Sequence, residues 1–227
     1  MIARQSEVSA VESFIYDDAT RAALRSALSA DRFATYLRLA RGREVRALQL
    51  YARNAALASA MHGPLHMLEV TLRNAAHDSL SETHGTDWLS GVALTTRQRK
   101  MIDSATRGLR QQGKKVTSSG LVAEMSFGFW VALFAKRFDQ QLWRVALHRA
   151  FEPTPARSEL HRQLEQLRAL RNRIAHHEPI LKRDLNGDYE ALLEVLAMLS
   201  PEVSNWVRHY SRVPEVLTTS TSRIMRF

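Results

Sequence analysis

Apolar residues recur along this chain at three- and four-residue steps, which is the period of one face of an α-helix. The clearest stripe consists of Leu160, Leu164, Leu167, Leu170 and Ile174. Pro179 follows it and ends the segment, because the residue before a proline is driven out of helical geometry. Almost every other segment has the same period, and no strand-turn-strand pattern occurs. We therefore predict an all-α fold.

Glycines and prolines divide the predicted helices. Gly42 separates two of them, and Gly63-Pro64 is predicted to begin a new helix, because proline suits a first helical turn. The most apolar segment, Leu121 to Phe138, is dense in aromatic residues. Exposed aromatic rings can stack on nucleic-acid bases. The valine, leucine and alanine residues between these rings favour a buried core instead.

The amino-acid composition limits the classes of molecule that this protein is expected to bind and the chemistry that it can perform. The 227 residues include 32 Lys and Arg against 23 Asp and Glu, which gives a net charge of +9. This excess favours RNA or DNA as a partner, with an anionic membrane surface second. The absence of cysteine excludes disulfides, thiolate catalysis and cysteine zinc sites. No signal peptide and no apolar run of membrane-spanning length is recognisable, so we expect a cytoplasmic protein without a membrane partner.

Residues suited to phosphate chemistry concentrate at the end of the leucine stripe. Arg171 falls within that stripe, where a guanidinium is costly unless it is paired or lines a cleft. Asn172 and His176 are four residues apart and share a neighbouring face. An arginine holds phosphate through a planar fork of donors, and a histidine moves protons near neutral pH. RNA supplies its own nucleophile, the 2′-OH, so strand cleavage here requires neither a metal nor a cofactor.

Two further sets of residues could help to form a site around Arg171 or to position RNA. On the helix predicted from Pro64, Glu69, Arg73 and His77 form one column with Asn74 beside it. They are either a surface ion pair or a support that faces the Arg171 helix. The second set is a basic segment, which is either a solvated helix face or an RNA-positioning patch. Its candidates are Arg97, Lys100, Arg107, Arg110, Lys114 and Lys115.

The pattern of Arg171, Asn172 and His176 resembles the signature of the HEPN superfamily of ribonucleases, in which an arginine is followed by four to six residues and a histidine. Residues 68–74, 127–130 and 170–179 together resemble the Abi-like (abortive infection) family of that superfamily, in the same order. The similarity runs from about residue 31 to residue 206. We accordingly predict an N-terminal helical extension at 1–30, a HEPN domain at 31–212, and a partly disordered tail at 213–227.

The resemblance implies a HEPN-type helical bundle with additional N-terminal helices. It also implies a metal-independent endoribonuclease that acts in phage defence or as a toxin, and leaves 2′,3′-cyclic phosphate and 5′-OH ends. Arg171, Asn172 and His176 would be catalytic, with His177, Glu69, Arg73 and Asn74 in support. The superfamily pairs two such motifs across a homodimer, and a toxin would need an antitoxin of RNA or protein.

The residues from 171 to 178 also allow interpretations other than a ribonuclease site. A metal site of His176, His177 and Glu178 is disfavoured, because adjacent helical histidines point about 100° apart. Alternatively, Arg171 is structural and pairs with Glu69, while the histidines cap carbonyls at the helix end. Either histidine fits the superfamily spacing, and His176 is preferred because it shares the face of Asn172. The chain as a whole could also be a non-catalytic RNA- or nucleotide-binding module, or a helical interaction protein.

Overall fold

The computed structural model describes residues 14–219, and within them the secondary structure is helical without any strand. The predicted all-α class is thereby confirmed. The α-helices are α1 (Asp18–Leu28), α2 (Ala30–Leu39), α3 (Glu44–His84), α4 (Trp88–Gly91), α5 (Thr96–Gln111), α6 (Ser118–Glu124), α7 (Phe127–Ala132), α8 (Arg157–Ala175), α9 (Leu185–Leu199), α10 (Pro201–Tyr210) and α11 (Val213–Thr218).

The chain divides into two compact units. The first contains the described residues 14–59 and 214–219, and the second contains residues 60–213. Helix α3 contributes residues to both units. The domain boundaries predicted from the sequence lie after residues 30 and 212 instead. Of the predicted segment 1–30, residues 1–13 lie outside the described part of the chain.

In the first unit, α1 begins at Asp17, whose side chain accepts a hydrogen bond from the Thr20 amide at 2.7 Å. Tyr36 on α2 is buried, and that burial raises its pKa to about 12. Arg53 donates to the carbonyls of Thr219 at 2.6 Å and Leu217 at 3.3 Å. It therefore satisfies carbonyls that the end of α11 leaves without helical partners. Val213–Thr218 of the predicted tail forms α11, and residues 220–227 lie outside the described part, so partial disorder of the tail stays a prediction.

The predicted helix start at Gly63-Pro64 is wrong, because α3 runs through it without a break. An internal proline removes one helical hydrogen bond and costs about 3 kcal/mol in a helix interior. Met61, Leu65 and Leu68 beside it are at most 2% exposed. Burial of these side chains on both sides of the proline opposes that cost, so tertiary packing prevails over the local preference.

The core of the second unit includes the aromatic segment and the leucine stripe. Phe127, Phe129 and Trp130 on α7 are at most 1% exposed, which confirms their predicted burial. Helix α7 packs on α8, whose leucines at 160, 164, 167 and 170 are fully buried. Helix α9 packs against both α8 and α10. Between α7 and α8 the chain forms short 3₁₀ and π-helical turns from Lys136 to Ala150. The stripe thus fixes α8, and with it the residues at either end of that helix.

Candidate functional site

Arg171 on α8 forms an ion pair with Glu69 on α3. The Nε atom of Arg171 lies 3.4 Å from the Oε2 atom of Glu69, and the two side chains are 38% and 19% exposed. Arg171 follows Leu170 at the edge of the buried stripe, so its guanidinium emerges where α8 meets solvent. Among the described residues it has no other hydrogen bond or ion pair. Most of its N–H donors therefore remain available for an anion.

Asn172 and His176 occupy the last turn of α8 and the residue that ends it. Asn172 is half-buried and His176 is exposed, and their backbones are joined by a hydrogen bond of 3.0 Å from the His176 amide to the Asn172 carbonyl. Within residues 14–219 neither side chain is hydrogen-bonded. The five-residue step from Arg171 to His176 corresponds to about 140° around the helix and about 7.5 Å along it. These two side chains therefore leave the helix on different sides.

His177 ends α8 through its backbone. Its φ of 56° is left-handed, a conformation that glycine usually supplies at this position. The His177 amide donates to the Ile174 carbonyl at 3.0 Å, and the Glu178 amide donates to the Arg173 carbonyl at 2.8 Å. This pair of bonds is a Schellman motif. The exposed imidazole takes no part in it. Sequence analysis missed this role, although histidine is enriched among non-glycine residues with positive φ.

Arg173 holds the chain that follows α8, a role that sequence analysis also missed. Its Nε and Nη2 atoms donate to the Pro179 carbonyl at 3.2 and 3.0 Å. Its Nε atom also lies 3.6 Å from the Glu178 carboxylate. The Glu178 carboxylate also offsets the charge of Arg173, so this arginine attracts a phosphate less than an unpaired one would. Arg173 instead fixes the turn beside His176 and His177.

The predicted column on α3 separates in the structure. Glu69 contacts Arg171, whereas the Arg73 Nε atom donates to the Asn74 side-chain oxygen at 3.2 Å. His77 lies farther along the helix, where its Nδ1 atom accepts a hydrogen bond from the buried Trp88 indole at 3.0 Å. An accepting Nδ1 carries no proton, so this contact fixes the tautomer of His77. Of the column, only Glu69 contacts the Arg171 set.

Six cationic residues form an exposed surface, which we call the basic face: Arg97, Lys100, Arg107, Arg110, Lys114 and Lys115. None of the six has an ion-pair partner among the described residues. The four members on α5 lie within about 140° of the helix surface and span about 20 Å. Arg99 differs, because its guanidinium donates to the carbonyls of Leu89, Ser90 and Val92. Arg99 is thus a structural arginine, and the basic face retains unneutralised charge.

Within the described residues, no group of three or more His, Asp or Glu side chains is placed to hold a metal ion. His176, His177 and Glu178 are adjacent in sequence but do not form such a cluster. No helix in the described part of the chain is both long and apolar enough to span a bilayer.

No protein-family model matches this chain, and no curated protein or solved structure matches it either. The resemblance to the Abi-like family therefore stays a prediction from the sequence.

Proposed function

We propose that this protein is a metal-independent endoribonuclease with a HEPN-type bundle in its second unit and additional N-terminal helices. The observation that supports this most directly is the placement of Arg171. A carboxylate on a neighbouring helix holds this arginine at the edge of the core, and Asn172 and His176 lie within two helical turns of it. Arg171 thus supplies an oriented cation and His176 an exposed imidazole, the two kinds of group that charge stabilisation and proton transfer in RNA cleavage require.

In the proposed reaction, His176 takes the proton of the ribose 2′-OH, and the 2′-oxygen attacks the adjacent phosphorus. The bond from phosphorus to the 5′-oxygen breaks, and a protonated histidine returns a proton to that oxygen. Arg171 stabilises the charge that accumulates on the phosphate oxygens. Asn172 orients the phosphate, and Glu69 positions Arg171. The products are a 2′,3′-cyclic phosphate and a 5′-OH.

We propose that two copies of the chain form one cleft. One chain supplies one histidine in the preferred position, and Arg171 and His176 diverge around α8, so a general acid and a general base are not both provided. A two-fold partner would supply the second His176. Two arginines that approach each other repel, and Glu69 beside each Arg171 offsets that repulsion. The carboxylate thus has a second purpose in a dimer.

The basic face would position the RNA. Phosphate contacts fix the position of a strand without reading its sequence, and flexible exposed cations suit that task. With the Abi-like resemblance, this supports a cytoplasmic role in phage defence or as a toxin, restrained by an RNA or protein antitoxin.

The test is cleavage of a mixed RNA substrate in EDTA by wild type, Arg171→Ala, His176→Ala and His177→Ala. We expect cyclic-phosphate ends from wild type and His177→Ala, and at least a hundredfold loss in the other two, since proton transfer contributes about 10²–10⁴-fold and loss of a charge-stabilising donor costs about 10²–10³-fold. His177→Ala is the matched control, because it removes an adjacent and equally exposed imidazole. Equal cleavage by wild type and His176→Ala would refute the assignment. A monodisperse monomer in light scattering would refute the shared cleft.

A second candidate function is a non-catalytic RNA- or nucleotide-binding module. The divergence of Arg171 and His176 favours it, because one chain does not direct both side chains at one phosphate. Wild-type protein that binds RNA with strong salt dependence but cleaves none, even as a dimer, would establish this alternative.

A further inference from the structure

A second polar site lies at the opposite end of α8 from Arg171. It is a cavity of about 520 Å³ lined by Trp143, Arg144, His148, Thr154, Arg157 and Ser158, with Asp139 between the two arginines. Arg157 and Arg171 are 14 residues apart on one straight helix, which corresponds to about 21 Å. The cavity is therefore separate from the candidate ribonuclease site.

Asp139 orients both arginines of the cavity. Its Oδ1 atom accepts from Arg157 Nε at 3.0 Å, and its Oδ2 atom accepts from Arg144 Nε at 2.8 Å. Arg157 also donates through Nη1 to the Phe134 carbonyl at 2.7 Å, and its side chain is only 14% exposed. One partly exposed arginine is thus held by two partners on a wall of the cavity, and the second shares one of them, Asp139.

The arginines retain donors after these bonds are counted. A guanidinium carries five N–H groups. Arg157 has used Nε and Nη1, which leaves its Nη2 atom, and Arg144 has used only Nε, which leaves both terminal nitrogens. Asp139 neutralises one of the two positive charges, so the three side chains carry a net +1. The site therefore has both the charge and the donors to hold an anion that has several oxygens.

The other lining groups add polar atoms. His148 is bonded through Nδ1 to the Trp143 carbonyl at 3.0 Å, and a carbonyl only accepts, so Nδ1 is the donor of this bond. Ser158 lies in the first turn of α8, and Ala156 provides no side-chain cap there. The uncapped N–H groups of this 19-residue helix add to a positive site that the two arginines already form.

We propose that this cavity binds a phosphate monoester on a ligand of about mononucleotide size. The monoester presents three strong acceptor oxygens, and paired guanidinium groups match that geometry. The cavity is open to solvent, its volume of about 520 Å³ has room for a mononucleotide, and Trp143 contributes apolar lining. The ligand is either a free nucleotide or the phosphorylated 5′ end of an RNA, because both present the same group. This inference does not depend on ribonuclease activity.

The test is isothermal titration at about 150 mM salt, where surface charge is largely screened. The ligands are AMP, adenosine, and one trinucleotide with and without a 5′-phosphate. We expect AMP to bind with a Kd below about 1 mM and adenosine not to bind. Arg144→Ala should weaken AMP binding at least about tenfold. Arg144 is 65% exposed, so its loss does not threaten folding.

Arg149→Ala is the matched control. This nearby arginine is exposed, bonds to the Thr83 hydroxyl and to the Val145 carbonyl, and does not line the cavity. Tighter binding of the 5′-phosphorylated trinucleotide than of AMP identifies an RNA end as the ligand, and equal or weaker binding identifies a free nucleotide. Each of three results would overturn the proposal: equal affinity for AMP and adenosine, a Kd for AMP above about 1 mM, or the same loss of AMP affinity in Arg144→Ala and Arg149→Ala.

Discussion

Replacement of His177 by glycine distinguishes the roles of the two histidines at the end of α8, His176 and His177. His177 adopts a φ of 56°, which costs an L-residue about 1–2 kcal/mol relative to glycine. Replacement by glycine removes this cost. It also destabilises the fold by about 0.5–1 kcal/mol, because glycine gives the unfolded chain more conformational freedom. The net expectation is a stabilisation of about 0.5–1 kcal/mol. In a chain of this size that corresponds to a rise in Tm of about 1–4 °C.

The measurement is thermal and urea unfolding of wild type, His177→Gly and His177→Ala at one pH and protein concentration. The His177 imidazole has no hydrogen bond among the described residues, but alanine tolerates positive φ less well than histidine, so His177→Ala should match wild type or be less stable by up to about 1 kcal/mol. The difference between the two variants therefore isolates the backbone contribution from any contribution of the imidazole.

Cleavage assays on the same samples complete the test. If His177 acts only through its backbone, both variants should cleave RNA at the wild-type rate. A His177→Gly protein that is less stable than His177→Ala would refute the capping argument. If both variants keep their stability and lose cleavage, His177 rather than His176 is the catalytic histidine.

Three further predictions follow from the same geometry. Neutralising the four basic-face residues on α5 should reduce the slope of log affinity for single-stranded RNA against log salt by up to about 2.8, at about 0.7 per contact, and an unchanged slope would remove this surface from the binding site. Glu69→Gln should lower kcat for RNA cleavage about tenfold or more with little change in Tm, because Arg171 loses its positioning partner, and full activity would contradict that role. Burial lowers the pKa of His161, so the unfolded chain binds its proton more readily and stability falls as pH drops below 6.5; unfolding of His161→Gln between pH 8 and pH 5 should show a smaller loss than wild type.

The parts of the fold that were predicted correctly are those that depend on the spacing of apolar residues within one helix. The leucines of α8 and the aromatic residues of α7 are buried as their spacing and density indicate. Pro64 shows where such reasoning fails, since its local preference for a first turn was outweighed by apolar neighbours that pack along the helix on both sides. The sequence around Gly63-Pro64 contains these apolar residues but does not show that they pack as parts of one continuous helix.

The candidate site shows a similar division. Glu69, Arg73 and His77 are equivalent in spacing, and only the tertiary structure, which brings Glu69 within 3.4 Å of Arg171, selects Glu69 as its neighbour. The left-handed backbone of His177 is accompanied by hydrogen bonds to the carbonyls of residues that precede it by three and four positions. The cavity at Arg157 brings together residues of the irregular segment and of the first turn of α8, so no periodic pattern marks it.

The two ends of α8 differ in what they offer an anion, and this difference constrains the proposed mechanism. Arg157 stands at the N-terminus, where the helix dipole attracts negative charge, whereas Arg171 and His176 stand near the C-terminus, where it opposes negative charge. Glu69 lowers the attraction at Arg171 further. The Arg171 set is therefore a weak site for ground-state phosphate, and affinity for RNA must come mainly from the basic face. Changes to that face should then raise KM, while changes to Arg171 or His176 should lower kcat, because their contribution grows only as charge accumulates in the transition state.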